Sequence, residues 1–457
     1  MEKKEIRNEN LLLDSWETSG NDLEELKKTV DALTKRTQFL RWKSGDIELL
    51  SFNDRRTLHT TLRKNGKDVV DKDGKPVEGD VPCVVSTLLS PDKLPSECQS
   101  LTLDSFLKSY REESVPTKEL LNEWTDTTKL GIVFNDTEEG NLKKRFYLTS
   151  SNTLQTMDRF GLAGNFLSEP SLERDMLIAK QFEKDYGITV IARKVGETKK
   201  VFSILSDKYR HLDQDLIFKV IKDITNSGAV GTVKCHRWEV SNFYTKVWVE
   251  FPERAEEFSV LYGLKTEMIP GILITTSDTG DSSFSVCGTW RVSGHNSYIL
   301  ASEVKKKHIG NFTPESILED VSQQVFAEYD KLPKALCDLI TVDITDPTWD
   351  LSTTAGLKAN RAEVEASIKT AFKSLGIVKA IGKKAEKTLR EAMVEEFDYS
   401  VPFTAYDIAM SIFTLPERAV FVGKATRDLS NLQKCVYKAP FVDYKAQKEE
   451  NDVILTA

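Results

Sequence analysis

Lys246-Val247-Trp248-Val249-Glu250-Phe251 alternates polar with apolar positions, the period of a strand that buries one face. Val201-Phe202-Ser203-Ile204-Leu205 reads the same way. Between these two stretches Leu216, Ile217, Val220, Ile221 and Ile224 recur at helical spacing behind Asp213, a good N-cap, so this helix must lay its apolar face on the sheet. Gly271 to Thr276, Phe284-Ser285-Val286 and Trp290-Arg291-Val292 add strands, with turns at Asn226-Ser227-Gly228 and Asp278-Thr279-Gly280-Asp281. A further helix opens at Thr313-Pro314 and carries Leu318, Val321 and Val325. Strands and helices follow in mixed order, which argues against a doubly wound parallel sheet. The expectation is an α+β fold: a central mixed or antiparallel sheet with covering helices and a mostly helical C-terminal part.

Outward from this centre, the spacing predicts three regions, 1–145, 146–345 and 346–457. The last is helical, with Val364, Ile368, Phe372 and Leu375 on one face, Ala385, Leu389 and Ala392 on another, and Gly376 and Gly382 between them. The first opens with Leu23, Leu26, Val30 and Leu33 on one helical face behind Asp22, then turns to short strands. There Asn65-Gly66 and Asp73-Gly74 mark two hairpin tips. Asp71-x-Asp73-Gly74 has the look of a calcium loop but lacks the further ligands and the closing Glu that an EF-hand needs.

The chain has 457 residues, 40% of them apolar, with 63 Lys+Arg against 71 Asp+Glu. That balance is globular, and a net charge of −8 excludes a protein coated in basic surface. Any phosphate contact must come from a local patch. Leu11 to Leu13 are too short a run for a secretory signal, and no run of apolar residues is long enough to span a bilayer. Cys83, Cys98, Cys235, Cys287, Cys337 and Cys435 include no C-x-x-C pair, which fits reduced thiols. The expected location is cytoplasmic, without a membrane partner.

Val201-Phe202-Ser203-Ile204-Leu205-Ser206-Asp207-Lys208-Tyr209-Arg210, followed by Leu212-Asp213, resembles the phage/plasmid-like protein family known as domain of unknown function nine hundred thirty-two. Met268-Ile269-Pro270-Gly271-Ile272 through Ser277-Asp278-Thr279-Gly280 and Ser282-Ser283 is similar to that family's central hairpin, and Lys306-Lys307-His308-Ile309-Gly310 to its basic-His-x-Gly step. Phe403-Thr404-Ala405-Tyr406-Asp407-Ile408-Ala409 is similar to its Thr-Ala-aromatic helix, so the resemblance covers roughly residues 145 to 430. Where the family has a Cys-Asn-Gly turn, this chain has Ser293-Gly294-His295-Asn296. The resemblance implies a phage, prophage or plasmid setting, in a bacterial host cytoplasm, with DNA replication, recombination or counter-defence as the context. It implies no catalytic residue.

Several chemistries lack their motifs. Five residues separate Gly376 from Gly382, one too many for a P-loop, and there is no G-x-G-x-x-G, G-x-S-x-G or zinc-deaminase pattern. No two of His59, His211, His236, His295 and His308 have metal-ligand spacing; at best folding brings Cys235-His236 to His295 and His308. No metal or cofactor is expected. A metal-dependent nuclease would use Asp281, Glu303 and Lys305, an acid followed by Glu-x-Lys.

Basic clusters carry more weight. Lys373, Lys379, Lys383, Lys384, Lys387 and Arg390 face Glu386 alone, a local excess of +5. Ile377 to Leu389 also resembles a helix-hairpin-helix, with Ala380 in place of the usual first glycine, a position at which an alanine would resist positive φ. A second cluster joins Arg193, Lys194, Lys199, Lys200, Lys208 and Arg210, and a third Lys305, Lys306 and Lys307. Tyr209, Trp238 and Tyr244 are the rings available to stack on bases, although alternation sends half of the nearby aromatics inward. The reading is a non-enzymatic protein binding single- or double-stranded DNA; the alternatives are a homo-oligomeric assembly component and the nuclease.

Overall fold

The structure is a computed structural model that describes residues 15–89, 97–102, 130–134, 145–148, 171–195, 198–211, 215–280, 282–308, 313–423 and 426–445. It is an α+β fold with two large sheets. The first has six antiparallel strands in the order β1 (Glu17–Gly20), β12 (Lys234–Ser241), β13 (Thr245–Glu250), β14 (Met268–Thr276), β15 (Phe284–Val292) and β16 (Tyr298–Lys306). Alternation sets its faces. Val247 pairs with Ile274, and Ile274 with Val286, so their side chains line one face, while Trp248, Leu273 and Cys287 line the other.

Helices cover the Val247 face. α1 (Leu23–Thr34) begins at Asp22, whose Oδ1 accepts from the Glu25 N–H at 2.9 Å, and buries Leu26, Val30 and Leu33. α3 (Asp215–Asn226) buries Leu216, Ile217, Val220, Ile221 and Ile224 as the spacing predicts, although Asp213 itself lies outside the described residues. α4 (Pro252–Tyr262) buries Ala255 and Phe258, and α5 (Pro314–Gln324) opens with a capping box at Thr313. After α6 (Lys331–Leu339) the chain is helical: α7 (Thr354–Leu375), α8 (Ile377–Ile381), α9 (Lys383–Glu396), α10 (Ala405–Phe413), α11 (Leu415–Phe421) and α12 (Thr426–Val436). Leu26, Val247, Trp290, Ile368, Leu389 and Phe413 belong to one continuous core, so the C-terminal helices and the six-stranded sheet are packed as a unit.

β1 closes the edge of this sheet. Its Gly20 pairs with Trp238, whose indole lies where a side chain at position 20 would project, and the Trp238 N–H donates to the Asp22 carbonyl at 2.9 Å.

The second sheet has eight strands in the order β2 (Thr37–Lys43), β10 (Gly187–Val195), β11 (Thr198–Ser206), β9 (Arg145–Leu148), β8 (Leu130–Phe134), β3 (Ile47–Thr61), β6 (Glu78–Leu89) and β7 (Glu97–Thr102). Only β11 and β9 run parallel, and the sheet draws strands from both sides of residue 145. α2 (Leu172–Phe182) packs Ile178 and Phe182 on Leu49, Val190 and Ile204 to make a separate small core. Beyond the sheet, β3 and β6 continue to a tip hairpin, β4 (Arg63–Lys64) and β5 (Lys67–Asp68). The two sheets meet where β11 leans on the turns of the first: the Ser203 hydroxyl donates to the Thr279 carbonyl at 2.6 Å, and Arg193 donates to the Asn242 side chain. No helix among the described residues is long and apolar enough to cross a membrane.

Candidate nucleic-acid interface

α7 ends at Gly376, whose φ of 68° is left-handed, as a helix stop requires. α8 and α9 follow, joined by Gly382 at φ 82°. Ile377, Ala380, Ile381, Ala385 and Leu389 point into the core. The helical period therefore turns Lys379, Lys383, Lys384 and Lys387 to solvent, with Lys373 exposed at the end of α7. Ala380 lies inside α8 with ordinary helical backbone, so positive φ is needed only at Gly376 and Gly382. Because Gly382 is the N-cap of α9, no side chain caps that helix and its first N–H groups face outward with a positive partial charge.

The electrostatics match. Arg390 is held by Glu386 at 3.0 Å and Lys387 lies 3.7 Å from Glu391. Lys373, Lys379, Lys383 and Lys384 have no carboxylate within ion-pair distance among the described residues. Four uncompensated ammonium groups around an uncapped helix start form an anion-attracting surface on an acidic protein.

The second cluster divides. Arg193 is 1% exposed and Lys200 2%, and Arg193 lies inside the contact between the sheets. Arg193 lies over the Phe202 ring at 4.5 Å, and burial lowers its pKa to about 10, against the opposing pull of Asp278. These two cations are structural. Lys194 is half-buried, Lys208 and Arg210 are exposed, and the Lys199 side chain lies outside the described residues. In the third cluster Lys305 pairs with Glu303 at 3.1 Å and Lys306 with Asp320, leaving Lys307 exposed. The Arg210 N–H donates to the His308 carbonyl at 2.8 Å, so Arg210 and Lys307 come from distant segments to one place. α12 packs against both α8 and β16, so the helical hairpin and the β16 lysines border the same helix.

The rings are placed differently from the sequence expectation. Trp238 and Tyr209 are buried; Tyr244 is half-buried under the Lys246 ammonium at 4.2 Å, and burial, with Glu17 and Glu239 nearby, pushes its hydroxyl up to about 12. Trp248 is the half-exposed ring of β13, with the Arg237 guanidinium 5.8 Å from its centre. Its neighbours Val247 and Val249 face the core, which is the signal that would have singled it out.

Three segments that carry the family resemblance converge at the contact between the sheets. The Tyr209 hydroxyl donates to the Asp278 carbonyl at 2.8 Å, its ring stacks on His308 at 5.2 Å, and His211 Nε2 lies 3.4 Å from Asp278 Oδ1. Burial holds the His308 pKa below its ordinary value, although the Asp278 charge and the Arg210 and Ser282 carbonyls favour the proton. A second buried group, Glu250, accepts from Arg291 at 2.6 and 3.0 Å and from the Tyr298 hydroxyl at 3.0 Å, with His236 at 3.4 Å.

Asp281 lies outside the described residues. Glu303 is held between Lys305 and Lys434, at 3.1 and 3.2 Å; burial raises its pKa, and the two ammonium groups more than reverse the shift. His236 faces Glu250 and His295 bonds Glu417 at 2.9 Å, so these imidazoles do not join His308. Among the described residues no three His, Cys, Asp or Glu side chains are grouped to hold a metal ion. No family model, curated protein or solved structure matches this chain.

Proposed function

We propose that this protein binds DNA through its sugar-phosphate backbone, with α8, Gly382 and the start of α9 as the contact. One observation carries the reading: Lys373, Lys379, Lys383 and Lys384 are exposed, close in sequence and without carboxylate partners among the described residues, beside helix N–H groups that no side chain caps. Lys208, Arg210 and Lys307 are further exposed cations, Arg210 and Lys307 lying together beside His308. The phage or plasmid setting implied by the resemblance supplies a context in which such an activity is needed, and no catalytic step is assigned. Fluorescence anisotropy of duplex and single-stranded oligonucleotides, titrated over salt, tests it. Each neutralised phosphate contributes about 0.9 to the log–log salt slope on duplex DNA. Lys379→Ala/Lys383→Ala/Lys384→Ala is expected to lower the slope by up to about 2.7. Salt-independent affinity, or none, sinks the reading.

Phe421 is 87% exposed beside exposed Val420, which favours self-association as a second reading. Light scattering that finds a defined oligomer with no DNA affinity would select it.

A further inference from the structure

We propose that Tyr209, His308 and the Asp278 turn form an acid-sensitive latch between the two sheets, closed while His308 is neutral and opened when its imidazole takes up a proton. The three residues come from separate segments: Tyr209 follows β11, Asp278 follows β14 and His308 follows β16. All three are buried.

Packing brings them face to face. The Tyr209 ring lies within 9° of parallel to the His308 imidazole, and its hydroxyl donates to the Asp278 carbonyl at 2.8 Å. At Gly280 a side chain would strike Leu205, so the turn and β11 approach as closely as a glycine allows. The Arg210 N–H closes the other side on the His308 carbonyl. The cores flanking this contact are separate: Leu49, Ile178 and Val190 belong to one, Val247, Ile274 and Val286 to the other. This end of the contact can therefore loosen with both still packed.

One carboxylate serves several cations here. Asp278 faces the buried Arg193 guanidinium of β10, His211 Nε2 at 3.4 Å and the His308 ring. β2 contributes the Phe39 ring, 4.0 Å from His211. Asp207, Lys208, Arg210 and Lys307 are exposed, and Lys306 is held by Asp320 of α5. With both imidazoles protonated, three cations would share Asp278. Neither His308 ring nitrogen makes a hydrogen bond of ordinary geometry among the described residues. The Arg210 and Ser282 carbonyls draw the proton, but burial outweighs them and holds the pKa below its ordinary value. Neutral His308 thus stabilises the closed latch above about pH 6.5, and that contribution is lost as pH falls below it.

Hydrogen exchange of the full chain, read on peptic fragments and corrected for intrinsic rate, tests the latch at about pH 7.5 and 5.5. One proton taken up over one pH unit is worth at most about tenfold, so fragments carrying residues 207–211 and the 277–280 turn should lose about five- to tenfold in protection. Fragments of α2 and β13 should keep theirs. His308→Gln, neutral at both pH values, should abolish the loss. His211→Gln leaves more of the Asp278 charge to His308 and should lessen the loss by itself, which decides the matter if His308→Gln does not fold. Unchanged protection at the latch, a loss shared equally by α2 and β13, or an undiminished loss in both variants overturns the proposal.

Discussion

Glu250→Gln should cost this fold about 3–5 kcal/mol, the range for breaking a buried ion pair by removing one charge. The Glu250 residue is 3% exposed and accepts three hydrogen bonds, two from Arg291 and one from Tyr298. The amide keeps one acceptor oxygen but turns an NH₂ toward donors, so at least one bond of the charged kind, ~1.5–3 kcal/mol, is lost and the largely shielded Arg291 is left without its counter-ion. Arg291→Met should be similarly costly by itself. The double variant should be milder than the sum by about 2 kcal/mol, since neither charge then remains alone. Urea titration followed by tryptophan fluorescence reads this cluster, because Trp248 stacks on Tyr298. Acidification adds a second check. Burial would raise the Glu250 pKa, but the bonds and charge of Arg291 outweigh it and hold the pKa below the ordinary value. The stabilisation is therefore complete above the unfolded pKa of about 4.3 and disappears as pH falls through the folded value, so the gap between Glu250 and its glutamine variant must narrow in acid. Additive single variants, or a gap that widens in acid, would refute the reasoning.

Other substitutions probe the remaining elements. Arg193→Met should destabilise the contact between the sheets yet leave DNA affinity per folded molecule unchanged; a selective loss of affinity in fully folded protein would return Arg193 to the interface. His308 has a depressed pKa, so its contribution is present above the unfolded value of about 6.5 and is lost as pH falls below it. His308→Gln should consequently flatten the fall in urea midpoint between about pH 7.5 and 5.5, and identical pH profiles would contradict this. Gly20→Val drives a side chain into the Trp238 indole and should cost about 1–3 kcal/mol in a denaturant titration, unless the ring can move aside. Asp22→Ala removes the cap of α1 and should cost about 1 kcal/mol in the same assay.

Local elements were legible because their signals are local. Asp22 with Leu26, Val30 and Leu33, Thr313 with Pro314, and the alternation through Val247 and Val249 each name an element and its inner face. The outward lysines of α9 follow from the same period, with Ala385 and Leu389 turned in. Partner choice was not legible, since nothing in Glu17 to Gly20 specifies β12. Nor does a charge count see burial on two sides. Ile191, Ala192 and Arg193 are buried in succession because α2 covers one face of β10 while the turns of the first sheet meet the other, so alternation gives no outward position there. Tyr209 fails for the same reason: its hydroxyl completes the Asp278 turn, a contact made across 69 residues.

The pairing of β1 with β12 sets a delay on the ribosome. The Trp238 indole and the Asp22 carbonyl that it meets are 216 residues apart. At ~5–20 residues per second, Leu26, Val30 and Leu33 wait about 10–40 s after emerging for the surface that shields them. During that interval the nascent helix displays a greasy stripe to the surrounding water, and ribosome-bound chains stalled before residue 234 should recruit holdase chaperones that chains stalled well past residue 306 have shed.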